Sequence, residues 1–414
     1  MYDVIIVGGG IAGLHTAYKL QKYTKNICIL EKDGRLGGRI YTVTKQGVSM
    51  EAGAGRFNQH HKQLLGLLDD LGISDQKVEI PSDVSFRPSN PKSYPKKYID
   101  KDPFHILDSV FQKGKRTSKT KLQKQTFIEF AKSILRERED IQFILDSFGY
   151  YEQLIHMNAY DAIKLFDKGM HTKNTFYSMK NGMSTIIESL RKKLDCDIKT
   201  NVEVNNIQYE SYSEEPKFII HTNERKTPYY AKYCVCAIPK LFMEKLPVFK
   251  VIQSSLDNIG IKILCRIYAK FERNDIWFKD IPKTTTNNEN RYIIPINRDE
   301  GLIMIAYTDS KYAEYWKSLP EKEVFSHLQK NIQSTFGYEI STPSFLQAFY
   351  WDTGTAFWKP NCNSDIVSKD LFKPIHSMPL YVCGENVSQT QGWIEGALET
   401  STNVANTLKS FFNN

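Results

Sequence analysis

Apolar and polar positions are most clearly ordered in the first forty residues of the chain. A short apolar run ends at Val7, a helical pattern covers residues 14–23, and a second apolar run covers residues 27–30. Short apolar runs bounded by turn residues are typical of buried strands, and apolar spacings of three and four indicate a helix. The pattern therefore predicts a strand, a helix and a second, parallel strand.

Similar patterns recur along the rest of the chain. Helical spacing predicts helices over residues 58–72, 126–165 and 321–336, with Ser184 as a candidate N-cap of another helix. Apolar runs predict strands over residues 261–271, 291–296, 302–307 and 380–385, and a hairpin over residues 209–221. Five prolines between residues 81 and 103 predict an irregular, strand-containing segment without a long helix over residues 76–124.

A glycine motif lies between the first strand and the first helix. Gly8, Gly10 and Gly13 fit G-x-G-x-x-G, and Glu31 ends the second strand. In such a unit the first glycine allows a tight turn, the second lets the backbone approach a pyrophosphate, and the third lets the helix pack on the strand. Ile11 and Ala12 open the helix, whose free N–H groups attract phosphate. Glu31 is placed to accept hydrogen bonds from a ribose, so the motif predicts dinucleotide binding.

The residues that follow Glu31 indicate which dinucleotide binds. Lys32 comes next, and Arg35, Gly37, Gly38 and Arg39 complete the pattern E-x-x-x-R-x-G-G-R. This pattern resembles the second cofactor signature of the flavin amine oxidase superfamily, which includes monoamine, polyamine and L-amino-acid oxidases and the more distant protoporphyrinogen oxidases and phytoene desaturases. A looser likeness connects the chain with uncharacterised members encoded by large DNA viruses. The resemblance implies FAD, and two arginines beside two glycines suit a pyrophosphate.

The resemblance extends to three further segments and implies FAD contacts there. They comprise the residues Gly53, Ala54, Gly55, Arg56, Phe57, Val204, Gly384, Glu385, Trp393, Ile394 and Ala397. Thr355 and Ala356 stand where some family members carry a cysteine bonded to the flavin, which implies non-covalent FAD.

The resemblance also implies the fold class, α/β plus α+β in two interleaved domains. Residues 1–75, 180–245 and 375–414 are expected to form a Rossmann-like FAD-binding domain of the glutathione-reductase type. Residues 76–179 and 246–374 are expected to form a substrate domain of mixed sheet and helices.

The implied reaction is hydride transfer from a carbon bearing an amine to flavin N5, with O2 as the expected electron acceptor. The family places an aromatic cage at the flavin face, and the matching positions are Trp393 and either Phe357 or Trp358. Simple core packing is the alternative interpretation of Phe357 and Trp358.

The family also has a lysine near flavin N5. Counting back from Phe271 places Arg266 at that position. Lys262 lies four residues earlier, which is two side-chain positions along the same face of the strand. Arginine stays charged, cannot act as a base, and binds carboxylates through two hydrogen bonds. The sequence therefore predicts a small substrate that bears a carboxylate. In the alternative interpretation, Arg266 faces away in a surface salt bridge.

Composition narrows the remaining possibilities. Seven cysteines, an odd and irregular set, argue against a disulfide framework and favour buried thiols, and no second pair accompanies Cys234 and Cys236, so no metal site is expected. No apolar run is long enough to span a membrane and no leader precedes the first strand, so a cytoplasmic location is expected.

The net charge of the chain is +8. The basic residues between 92 and 124 form either a solvated loop or a site for an acidic partner. Nucleic acid is not expected, because no motif for it is present.

Three functions follow from these patterns. The first is FAD-dependent oxidation of a C–N bond in an amine or amino acid. The second is C–C desaturation or porphyrinogen oxidation on the same fold, which a large apolar cavity without a cage would favour. The third is an inactive flavoprotein that acts through its basic surface. The oligomeric state stays open.

Overall fold

The computed structural model describes residues 1–212 and 214–412. In chain order its strands are β1 (Tyr2–Val7), β2 (Ile27–Leu30), β3 (Thr42–Lys45), β4 (Val48–Glu51), β5 (Phe57–Asn58), β6 (Lys77–Ile80), β7 (Ser85–Phe86), β8 (Phe176–Met179), β9 (Asp197–Lys199), β10 (Val204–Glu210), β11 (Lys217–Thr222), β12 (Tyr229–Cys236), β13 (Ile259–Lys270), β14 (Thr284–Thr285), β15 (Tyr292–Asn297), β16 (Leu302–Asp309), β17 (Phe345–Trp358) and β18 (Leu380–Val382).

The helices alternate with these strands along the chain. They are α1 (Ile11–Leu20), α2 (Lys62–Leu71), α3 (Phe104–Lys115), α4 (Lys119–Gln123), α5 (Phe127–Ile134), α6 (Arg138–Ser147), α7 (Tyr151–His156), α8 (Ala159–Lys164), α9 (Ser184–Lys193), α10 (Lys240–Met243), α11 (Gln253–Leu256), α12 (Ser310–Ser318), α13 (Glu321–Phe336), α14 (Ser364–Phe372) and α15 (Ile394–Leu408). A π-helical turn, Leu165–Met170, follows α8, and short 3-10 turns fill several connections.

The first sheet contains the two strands predicted at the start of the chain. β1 pairs in parallel with β2 on one side and with β12 on the other. β9 extends the sheet beyond β2, and β18 pairs in parallel with the end of β12. The hairpin of β10 and β11 joins the start of β12. Apolar side chains of α1, α2, α9 and α15 pack into one core cluster with β1 and β2, so this sheet is a packed α/β layer.

The second sheet is built mainly from long antiparallel strands. Its order is β17, β13, β16, β15, β14 and β7. β13, next to the edge strand β17, pairs with β16 and with β17 along most of its length. The strands predicted over residues 261–271, 291–296 and 302–307 are therefore confirmed, and α13 occupies the predicted residues 321–336.

All strands of the first sheet lie within residues 1–75, 180–245 and 375–414, and all strands of the second lie within 76–179 and 246–374. The bounds of the two domains stay a prediction.

Two local predictions are wrong. The segment 76–124 contains the twelve-residue helix α3, because Pro103 stands just before its first residue, where no backbone N–H is needed, and the Asp102 carboxylate accepts the Phe104 N–H at 2.9 Å. Ser184 is the first residue of α9 and not its N-cap. Its hydroxyl instead accepts the backbone N–H of Thr42 at 2.8 Å. The predicted helical segment 126–165 is confirmed, but turns divide it into α5 to α8.

All seven cysteines are free, and the five predicted to be core thiols are buried. Within residues 1–212 and 214–412, no helix combines the length and apolar character needed to cross a membrane.

Candidate active site

A cavity of about 1290 Å³ extends from the carboxyl ends of β1 and β2 to one face of the second sheet. One end is lined by the glycine loop and by Glu31, and the other by Lys262, Arg266 and Tyr307. The carboxyl ends of parallel strands in an open α/β sheet are where ligands usually bind.

The glycine loop forms the wall of the cavity at the start of α1. Gly8 has φ of +108°, a conformation that favours glycine. A Cβ at Gly13 would lie 2.0 Å from the Gly8 carbonyl oxygen, so a side chain there would displace α1 from β1. Gly10, by contrast, has no atom within 4 Å of such a Cβ and lines the cavity with Ile11 and Ala12. The loop thus leaves backbone N–H groups open to an anion at the helix N-terminus.

Glu31 is fixed at the end of β2. Its carboxylate accepts the N–H of Gly9 at 2.6 Å and that of Asp33 at 2.8 Å. Burial raises the pKa of Glu31, while these two hydrogen bonds oppose the rise. Lys32 and Val204 also line this end, and the ammonium of Lys32 lies 4.0 Å from the ring centre of Phe242.

The two arginines of the second motif have different surroundings. Arg35 donates to the Gly38 carbonyl at 2.8 Å and stacks on Tyr41. Arg39 forms an ion pair of 2.8 Å with the buried Glu385. The second carboxylate oxygen of Glu385 accepts the N–H groups of Ala356 and Gly392, so this residue holds three distant segments together around the cavity.

The closing motif forms the wall where α15 begins. Gly384, Trp393, Ile394 and Ala397 line the cavity with Glu385. Glu395 points away and accepts the N–H groups of Gln63 and Leu64 at the N-terminus of α2. The Trp393 ring packs against His61 and Phe176, but its buried Nε1–H has no hydrogen-bond partner among the described residues.

These features fit FAD. The open glycine cradle and the helix N-terminus suit a pyrophosphate, and the fixed carboxylate of Glu31 suits a ribose. Gly37, Gly38, Gly53, Ala54 and Gly55 line the wall between them. The buried Trp393 Nε1 lies against Gly169, where a Cβ would approach it to 2.9 Å, so the ring of Trp393 and not its N–H is suited to contact a bound molecule.

Three aromatic residues singled out from the sequence pack in the core and are not among the lining residues. Phe57 is fully buried within the first core cluster. Phe357 faces Gly260 across the strand pair, where the missing side chain makes room for its ring. Trp358 donates its Nε1–H to the Ser388 carbonyl at 3.1 Å.

Lys262 and Arg266 both line the cavity, as their shared strand face predicts. The buried ammonium of Lys262 lies 2.8 Å from the Gln153 side-chain oxygen and 3.7 Å from the Asp309 carboxylate. Burial raises the pKa of Asp309, and the charge of Lys262 opposes the rise. The Gln153 amide nitrogen lies 3.9 Å from where a Cβ at Gly392 would be. Gln153 thus lies between Lys262 and the closing motif, and its amide nitrogen has no hydrogen-bond partner among the described residues.

Arg266 points into the cavity at a different place. Its Nη1 donates to the Glu51 carbonyl at 2.8 Å, and its guanidinium lies 4.6 Å from the ring centre of Tyr307. Within the described ranges no carboxylate lies within 4.0 Å of it, so the alternative of a surface salt bridge is wrong. A Cβ at Gly55 would approach Arg266 to 3.3 Å, which places the guanidinium against this glycine.

Sequence reasoning missed most of the residues around these cations. Tyr150, Tyr292, Tyr307 and Lys283 line the same end of the cavity, and Arg56 donates to the Tyr150 hydroxyl at 3.1 Å. These residues come from separate segments without a motif, so no sequence signal identified them.

The charges in this group shift the pKa values of their neighbours. Burial raises the pKa of Tyr150 to about 12. Burial would also raise the pKa of Tyr307, but the charges of Arg266 and Lys262 outweigh it and lower that pKa. Burial, with a smaller contribution from Arg56, lowers the pKa of Lys283 to about 7. This end of the cavity is therefore electropositive.

Comparisons with known proteins agree with these features. A family model described as flavin containing amine oxidoreductase matches residues 11–409. L-amino-acid oxidase of Trimeresurus stejnegeri is 22% identical over 97% of this chain and 86% of its own length. Amine oxidase [flavin-containing] A of Sus scrofa is 37% identical over 81 residues, and protoporphyrinogen oxidase 2 of Arabidopsis thaliana is 36% identical over 74 residues. Each of these two matches spans only 15% of the relative's length.

The fold is also found among solved structures. Wild-type putrescine oxidase bound to putrescine superposes with a TM-score of 0.81, covering 99% of both chains at 16% identity. The predicted two-domain fold is thereby confirmed.

Proposed function

Since the chain belongs to the flavin containing amine oxidoreductase family, we propose that it oxidises the C–N bond of an amine or amino acid. Its proposed cofactor is FAD, and Thr355 and Ala356, which stand where some family members carry a cysteine, favour a non-covalent link. When bound, FAD supplies the acceptor for the hydride that leaves the carbon bearing the nitrogen.

The residues proposed to hold FAD form a continuous wall. Gly8 to Gly13 would hold the pyrophosphate with the N-terminus of α1, and Glu31 would hold the ribose. Arg39, fixed by Glu385, would place a positive charge near the phosphates, and the Trp393 ring would contact the cofactor at the far end.

The substrate class follows from one observation. Arg56, Arg266 and Lys283 line the cavity, and none of them has a carboxylate within 4.0 Å in the parts of the chain that the structure describes. Unpaired cations repel a cationic amine and attract an anion. We therefore propose a substrate that bears a carboxylate, such as an amino acid, in preference to a simple monoamine or polyamine.

We assign different roles to the two cations of β13. Lys262 donates to Gln153, which lies beside Gly392 of the closing motif, and Lys262 is proposed to lie beside the reacting end of the substrate. Arg266 retains free donors after its bond to the Glu51 carbonyl, and is proposed to bind the carboxylate. A lysine in the cavity, Lys262, favours an active enzyme over an inactive flavoprotein.

Porphyrinogen-type oxidation is the second candidate. Two observations favour it: the cavity has a volume of about 1290 Å³, and Phe357 and Trp358 are not among its lining residues, so they supply no cage wall. The cations and tyrosines at the substrate end favour amino-acid oxidation instead.

Ammonium release separates the two candidates, because oxidation of a C–N bond gives an imine that hydrolyses to ammonium. FAD-loaded protein would be incubated in air with amino acids, with spermine and with a porphyrinogen, and both ammonium and hydrogen peroxide would be measured. We expect ammonium from at least one amino acid, with peroxide if O2 is the acceptor. Oxidation of the porphyrinogen without ammonium from any amino acid would reject the proposal.

A further inference from the structure

Four residues that line the cavity lie side by side across the second sheet. Arg266 on β13 is paired with Tyr307 on β16, and Tyr307 is paired with Tyr292 on β15. Tyr292 is in turn paired with Thr285 on β14, and Lys283 precedes Thr285 by two residues. Since neighbouring strands lie about 4.8 Å apart, Arg266 and Thr285 are separated by about 14 Å at the backbone, and Lys283 lies about 7 Å further along the chain, just before β14. We call Arg266, Tyr307, Tyr292 and Lys283 the cation–tyrosine row.

The side chains of the row are in contact from one end to the other. The guanidinium of Arg266 lies 4.6 Å from the ring centre of Tyr307, and the ammonium of Lys283 lies 5.9 Å from that of Tyr292. The two tyrosine rings are stacked, with centres 5.9 Å apart. The row therefore has a positive charge at each end and two stacked phenols in the middle.

Neither end of the row has a carboxylate within 4.0 Å among the described residues, although Asp83 and Asp102 favour the charged form of Lys283 from farther away. Arg266 bonds to a carbonyl, and Lys283 donates to the Ser82 carbonyl at 3.4 Å. The charged groups around Lys283 are Arg56, Asp83 and Asp102, and none of them forms an ion pair with it. Burial of an unpaired ammonium is unfavourable, and an anion bound beside it would restore its charge.

We propose that the cavity binds a substrate with two anionic groups, one at the Arg266 end and one at the Lys283 end of the cation–tyrosine row. The substrate class is then an amine that carries two carboxylates. This inference deepens the proposed function and rests on it, but the two-anion site can be tested without turnover.

The test is the affinity of FAD-loaded protein for dicarboxylates that cannot be oxidised. Glutarate and adipate would be compared with butyrate and hexanoate by isothermal titration calorimetry. We expect each dicarboxylate to bind at least about tenfold more tightly than the monocarboxylate, as one charge-assisted hydrogen bond is worth about 1.5–3 kcal/mol. The ratio of dicarboxylate affinity to monocarboxylate affinity should fall between pH 6 and pH 8, because Lys283, with a pKa of about 7, loses its proton over that range.

A pair of variants assigns the effect to the row. Lys283→Met should lower dicarboxylate affinity at least about tenfold more than it lowers monocarboxylate affinity, and so remove the preference for dicarboxylates. Lys279→Met, which removes an exposed lysine of the same segment outside the cavity, should keep the advantage. Equal affinity for both acid classes in the wild type, or an advantage that survives Lys283→Met, would overturn the inference.

The same experiment separates this inference from the proposed function. Tight dicarboxylate binding without ammonium from any aminodicarboxylic acid would support the two-anion site and contradict C–N oxidation. Displacement of glutarate by a dicarboxylate tetrapyrrole would then identify a porphyrinogen as the source of the two anions.

Discussion

The identity of single residues controls the substrate end of the cavity. Lys262 and Arg266 stand four residues apart on one strand face, yet their surroundings differ. Lys262 is buried beside Gln153 and Asp309, whereas Arg266 contacts a carbonyl and a tyrosine ring. Two cations with such different partners should contribute to different steps.

Substitution of each cation by methionine tests this division. Arg266→Met should raise the KM for an amino acid about 10- to 100-fold, because it removes charge-assisted hydrogen bonds worth about 1.5–3 kcal/mol, and should change kcat little. Lys262→Met should lower kcat more than it raises KM. Steady-state kinetics at matched FAD content measures both. An unchanged KM in Arg266→Met would exclude it as the carboxylate-binding residue.

The sequence predicted these two residues only in part. Their common strand face follows from the two-residue period of a strand, and both do line the cavity. Their partners Gln153, Asp309 and Tyr307 could not be predicted, because they come from other segments that meet only in the folded chain. The packing of Phe357 could not be predicted from the sequence either, since only the structure reveals the space that Gly260 leaves for its ring.

At the scale of elements, the β1–α1–β2 unit and the closing helix α15 supply the cofactor wall. Both were predictable, because their glycines and acids occur at fixed offsets within a periodic apolar pattern. Helix α3 was not predictable, because five prolines in this segment indicate irregular structure. The last of them, Pro103, in fact stands just before the first residue of the helix. Local signals therefore identified the elements proposed to bind FAD and the main strands of the second sheet, but not helix α3.

The close contact of α1 with β1 gives a prediction for this unit. Gly13→Ala should reduce the FAD content of the purified protein and lower its Tm, because the new Cβ would lie 2.0 Å from the Gly8 carbonyl oxygen. The control is Gly66→Ala in α2, where no atom lies within 4 Å of the new Cβ. It should keep FAD and raise stability by about 1 kcal/mol. Flavin absorbance per protein and thermal unfolding measure both, and full FAD content in Gly13→Ala would contradict the packing role.

At the scale of the whole molecule, one cavity joins the two sheets. Residues from the first sheet line the end proposed to hold the cofactor, and residues from the second line the end proposed to hold the substrate. Glu385 connects the two parts, since it pairs with Arg39 and accepts the N–H of Ala356 on β17. This continuity is why FAD and a carboxylate-bearing substrate are proposed to share the same space.

The central claim, reduction of bound FAD by an amino acid, is tested most directly by the visible flavin band in the absence of oxygen. FAD-loaded protein would be titrated with amino acids, including aminodicarboxylic acids, and in parallel with benzylamine and spermine. We predict that at least one amino acid bleaches the band and that benzylamine and spermine do not. Bleaching by the amines alone, or a band that no amino acid changes, would contradict the claim.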